Sequence, residues 1–150
     1  MTFPAGPHKE ARLFGQYKVN KTIEFDGEAG SGAVGTVALF TVTGAVHVVV
    51  VGYCTEDLTE AGATATISVG ITGATAALIA LVNAVDIDVG EIWFDATPAD
   101  VKALTSLGGA FVGGGEDIFA TIAAQNVDDG TIDFCCFWTP LSADGNVVPA

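Results

Sequence analysis

Two long stretches of this chain, residues 29–55 and 61–85, contain no formally charged residue. Runs of that length and polarity either span a bilayer, for which about 20 consecutive apolar residues suffice, or lie buried as strands. The residues decide for strands. The first run holds Gly35, Gly44 and Gly52, a histidine at 47 and a succession of Val and Thr, with no flanking Lys or Arg to anchor a span. The second is broken by Gly62, Gly70 and Gly73. Stiff β-branched side chains cut at intervals by glycine suit a pleated, buried surface.

Charge supports the same conclusion. Charged residues make up 15% of the chain against a usual value of about 25%, and mean hydropathy is +0.52. So little charge on so much apolar chain implies that more than one face is covered, by self-association or by docking on a larger assembly. The charge is also uneven. Residues 1–21 carry Lys9, Arg12, Lys18 and Lys21 against Glu10, a net +3, whereas residues 22–150 hold Lys102 against 17 acids. Such an acidic body repels phosphates, which argues against nucleic-acid binding.

Alternation divides the chain into a 1–16 extended N-terminal arm and a single domain over 17–150. In the arm, Pro4 and Pro7 preclude regular pairing, and Phe3, Leu13 and Phe14 are apolar anchors without a local core. In the domain, strands are expected over 17–26, 36–43, 45–54, 63–71, 78–85, 91–95, 110–112, 116–125 and 131–138. The Val48–Val51 centre of the third suggests burial on both faces, hence a central place. Residues 55–62 read as an acidic exposed connection, and 86–90 as a turn. Thr97-Pro98-Ala99-Asp100 suggests a short helix or turn. Asp128-Asp129-Gly130 is a tight-turn signal, predicting a hairpin of 116–125 with 131–138. The tail beyond Pro140 reads as loop. The expected fold is all-β: an antiparallel β-sandwich, jelly-roll-like, with an extended N-terminal arm.

No motif commits the chain to chemistry, and it reads as non-enzymatic. Gly30–Gly35 satisfies GxGxxG but precedes a strand, where dinucleotide binding needs a helix N-terminus. Asp86, Asp88 and Glu91 lack calcium-loop spacing. His8 and His47 are the two histidines; neither has zinc-ligand company, and no nucleophile elbow accompanies His47. Cys54, Cys135 and Cys136 give no disulfide framework and read as buried thiols, the vicinal pair pointing to opposite faces. Trp93, Phe94, Phe137 and Trp138 read as core or interface, with a sugar groove as the alternative. No cofactor or metal is expected. The opening MTFPAGPHKEARLF has no apolar run of the kind a signal peptide needs.

The order of segments carries a resemblance. TIEFDGEAGSGAVGTVALFTVTG, YCTEDL, TAALIALVNAVDIDVGEIWFDATP, GGEDIFATI, DDGTIDFCCFW and PLSADG resemble small structural proteins of tailed-bacteriophage and prophage virions, most like capsid decoration (cement) proteins, over roughly residues 20–146. The resemblance implies a β-sandwich on the outer surface of the capsid. Its partners would be the major capsid protein and itself, as a trimer or dimer. The implied contacts are those of the arm and its root: Phe3, Lys9, Arg12, Leu13, Phe14 and Lys18. The alternative is a carbohydrate- or host-binding module of a phage tail or fibre.

Overall fold

The structure, a computed structural model, describes residues 17–150. The expected arm, with Phe3, Lys9, Arg12, Leu13 and Phe14, lies outside the described residues. Ten strands form two five-stranded antiparallel sheets: β1 (Tyr17–Glu24), β2 (Gly35–Thr43), β3 (Val46–Thr59), β4 (Thr66–Ile71), β5 (Ala74–Asn83), β6 (Ile92–Trp93), β7 (Ala110–Val112), β8 (Ile118–Ala123), β9 (Asp129–Pro140) and β10 (Asn146–Pro149). The fold class is an all-β sandwich.

The first sheet runs β1-β9-β3, with β6 and β7 both on the far side of β3, at Gly52–Tyr53 and at Val46–Val48. The second runs β10-β2-β8-β4-β5. The winding has a simple logic. β4 pairs with β5, β3 with β6 and β7, β2 with β8, and β1 with β9. These nested pairs form one long antiparallel hairpin, folded so that successive pairs fall in alternate sheets. The β3–β9 and β4–β8 ladders then lock the folds together.

Period-two alternation builds the core. On β9, Ile132, Phe134, Cys136 and Trp138 point inward and are buried, while Asp133, Cys135 and Phe137 alternate outward. On β8, Ile118, Ala120 and Ile122 face them across the sandwich. On β3, Val46, Val48, Val50 and Cys54 face the core. Val49 is buried too, although it belongs to the outer face. The chain between β6 and β7 returns over that face, with Leu104 and Leu107 beside Val51 and Phe137. Burial of β3 on both faces, expected from its valine run, thus comes from strands on one side and a loop on the other.

Three expectations change. The predicted hairpin at Asp128-Asp129-Gly130 does not form: β8 and β9 lie in different sheets, and the chain crosses between them. Gly130 does take a positive φ, +108°, but inside a bulge against β3, where Asp128 N donates to Thr59 O. The acidic stretch 55–62 is not a connection throughout, because β3 runs on to Thr59 with Leu58 buried as its anchor. The tail is not all loop: β10 pairs with β2 and buries Val147, and Lys21 Nζ donates to Ala150 O. At 97–109, where a short helix or turn is expected, the structure has turns, including one 3-10 turn, Leu104–Ser106. Thr97 N and Oγ1 both donate to Asp95 Oδ1, which holds the chain in a turn at its start.

Candidate docking surface

Several of the described residues with catalytic or ligating potential are engaged in local structure; His8 lies outside the described residues. His47 stands on the outer face of β3, its ring 5.3 Å from that of Phe111, with Gly109 so close that a Cβ there would lie 2.5 Å from Nε2. The Gly30–Gly35 loop leads into β2, a strand. It is organised by Asp26, whose carboxylate accepts from Ser31 Oγ at 2.6 Å and Glu28 N at 3.0 Å. Those bonds, the Ser31 hydroxyl first, hold Asp26 below the usual carboxylate range. In the 86–91 turn, Glu91 accepts from Asp88 N, and Asp57 accepts from Val89 N. Asp129 accepts from Gly130 N. Among the described residues no three His, Cys, Asp or Glu side chains are grouped to hold a metal ion, and no helix is long and apolar enough to cross a membrane.

The sugar-groove alternative requires an exposed indole at Trp93 or Trp138. Trp93 is fully buried, edge-on to Phe134. Trp138 is 8% exposed and stacked under Tyr17 at 4.5 Å. Neither presents a face to a sugar.

All three cysteines are free. Burial pushes the Cys54 thiol up to about 11 and the Cys136 thiol up to about 12, and raises that of half-buried Cys135. Thiolates are the reactive form. At about pH 8, iodoacetamide should therefore add at most one label to the native protein, at Cys135, and three after denaturation. A folded pKa raised above 9.0 contributes stability that is complete below pH 9 and lost as pH climbs through the folded values. Urea midpoints should accordingly fall from pH 9 upward. Two or more native adducts at pH 8 would contradict the burial.

What remains conspicuous is apolar surface. The outer face of the first sheet carries Val51, Phe137 and Tyr53, and the overlying 94–109 segment adds Leu104, 55% exposed, and Val101, 87% exposed. Phe111, 71% exposed, stands on β7 beside His47. Between loop and sheet lies an open hollow of about 190 Å3, walled by Val51, Ile92, Phe94, Leu104, Leu107 and Phe137. Its rim is fixed by Lys102, the one Lys or Arg in 22–150. The ammonium donates to Asp95 Oδ1 (2.7 Å), Thr97 O (2.6 Å) and Thr97 Oγ1 (2.9 Å) and lies 5.1 Å from the Phe94 ring centroid. Three donors meet three acceptors, which is what a largely buried ammonium requires.

Of the contact residues read from the sequence, Lys18 is described. It is exposed on β1, paired with Phe137, its Nζ 6.0 Å from that ring. It therefore stands beside the apolar face. Of the hollow's residues, Phe94 and Phe137 read from the sequence as core or interface; the others escaped, although two signals were present: a valine run dense enough to need cover on both sides, and a lone lysine in an otherwise acidic body. The chain matches no family model, no curated protein and no solved structure.

Proposed function

We propose that this protein decorates and stabilises the capsid of a tailed phage, bridging neighbouring subunits of the major capsid protein on the outer surface of the virion. The observation that carries the reading is the partly covered apolar hollow on the outer face of the first sheet, with Val101, Leu104 and Phe111 exposed on that side of the sandwich. Contiguous apolar patches mark interaction sites. The resemblance in segment order supplies the class of partner. The nested strand pairing supports reading the winding as a jelly roll, an architecture used by virion and lectin domains.

The mechanism is mechanical. Pressure from the packaged genome pulls capsid junctions apart, and each bridging copy adds apolar burial at roughly 25 cal/mol per Å2 that separation must undo. A specific interface buries about 800 Å2 per partner. Acidic bodies repel one another, so association as a trimer or dimer relies on apolar contact and on the basic N-terminal segment, with Lys9, Arg12 and Lys18 meeting acidic surface on a capsid subunit or sister copy. The test is cryo-electron microscopy of virions. Density for this chain between capsid subunits is expected. Its absence from the head would end the proposal, and density in the tail would favour a host-binding role. Deleting residues 1–16 should lower capsid occupancy while leaving the thermal midpoint unchanged; full occupancy would remove the arm from the mechanism.

A further inference from the structure

We infer that the outer face of the second sheet is a self-association surface, on which a second copy of this chain packs face to face across a twofold axis. The inference goes beyond the capsid reading and does not need it. Charge, register and area carry it.

No residue of β10, β2, β8, β4 or β5 is charged, although the chain carries 18 acids. The first sheet differs: β1 holds Lys18, Lys21 and Glu24, β3 holds Glu56 and Asp57, and β9 holds Asp129 and Asp133. Asp117, just before β8, accepts from Val42 N at 3.0 Å and is thereby committed to backbone. A chain of net charge −13 repels its own copies, and like charges juxtaposed across an interface oppose binding. Two copies therefore meet at least cost where neither presents a charge, and a twofold axis brings identical patches together. A strongly charged partner of either sign finds no counter-charge on this face.

Register fixes what the face presents. Thr36 pairs with Thr121 and Thr121 with Ser68, while Ala38 pairs with Phe119 and Phe119 with Gly70. Between these rows Val37, Ala120 and Val69 are buried in the core, so both rows point away from it. Val148 and Thr41 form a further outward pair beside buried Val147 and Val42. Thr36, Ala38, Thr41 and Val148 are exposed, and Phe119 is partly so. Small side chains let another sheet approach to the about 10 Å of sheet-on-sheet packing, and Phe119 offers an aromatic anchor among them. Five strands about 4.8 Å apart span about 24 Å, and the six-residue β4 and β8 run about 20 Å, so the face covers roughly 500 Å2 in plan. Side-chain relief carries the accessible area toward the about 800 Å2 per partner of a specific interface.

The test is sedimentation velocity on the full-length protein under reducing conditions, between about 5 and 500 µM. A reversible dimer is expected. Its dissociation constant should fall severalfold as NaCl rises from about 50 to 500 mM, because salt screens the repulsion between acidic bodies. Ala38→Glu sets like charges against each other beside Phe119 and should raise the dissociation constant at least about tenfold. Thr36→Glu should act alike, and Leu104→Glu, on the first sheet's side, should leave it unchanged. Thermal melts check that each variant is folded, and the salt series on the unaltered chain needs no variant. A monomer at every concentration would overturn the inference, as would a trimer, which a twofold contact cannot close. A dimer that weakens with salt would place the basic N-terminal segment on an acidic body. A dimer dissolved by Leu104→Glu alone would place the contact on the first sheet. Either result overturns the assignment, and neither depends on whether the protein binds a capsid.

Discussion

Phe134→Ala is expected to lower the unfolding free energy by about 3–5 kcal/mol, toward the upper end of that range. Phe134 is fully buried at the middle of β9, the strand that joins β1 to β3. In register it lies between Lys21 and Gly52. Gly52 gives the ring its space: a Cβ there would sit 3.5 Å from the Phe134 ring, 3.3 Å from Trp93 and 3.2 Å from Ile132. Trp93 covers one side with ring centroids 6.2 Å apart. Removing the ring leaves a cavity beside a residue that has no side chain to move into it. The loss therefore includes the transfer term and most of the cavity term. A domain of this size shifts its midpoint by roughly 2–4 °C per kcal/mol, so a fall on the order of 10 °C is expected. Urea denaturation under reducing conditions measures it, with an unchanged m-value showing that compactness is preserved. A loss under about 1 kcal/mol would mean that the indole swings into the vacated space, and Trp93 would then not be the fixed wall described here.

The architecture was legible where alternation was long. The inward set on β9, Ile132 to Trp138, and the split between Cys135 and Cys136 follow from period two alone. The valine run of β3 announced burial on both sides, although nothing in it distinguished a neighbouring sheet from a returning loop. Short elements were legible unevenly: β7 stands at the expected 110–112 and β6 inside the expected 91–95, whereas the four-residue β10 reads as loop, because so short a segment is held by the ladder to β2 and not by its own pattern. The candidate docking surface was harder still. Val51, Ile92, Phe94, Leu104, Leu107 and Phe137 come from β3, β6, the 94–109 segment and β9, and no local spacing links them. Lys102 could be singled out by charge, but its role depends on Asp95 and Thr97 arriving from a turn that reads as a helix start.

The misread turn at Asp128-Asp129-Gly130 leads to the second large effect: Gly130→Ala should destabilise the fold by more than about 3 kcal/mol, whereas Gly62→Ala should cost only about 1 kcal/mol. Both glycines have positive φ, +108° and +97°, so both substitutions carry the backbone penalty of an L residue in that region. They differ in what a methyl would meet. At Gly62 nothing lies within 4 Å. At Gly130 a Cβ would stand 2.5 Å from Asp57 O and 2.7 Å from Leu58 Cα, both backbone atoms of β3 that cannot swing aside. Relief requires the β3–β9 ladder to open at its bulge, where Asp128 N meets Thr59 O and Leu58 is buried. It would also disturb the point at which the chain crosses from one sheet to the other, where Phe25 N donates to Gly130 O. A hairpin turn would have predicted equal losses, since a two-residue loop projects into solvent and a methyl there meets only its own backbone strain. Denaturation of the two variants side by side separates the cases. Equal losses would mean that Gly130 serves conformation alone, and a much larger loss at Gly130 would identify the crossing as a close contact that only glycine permits.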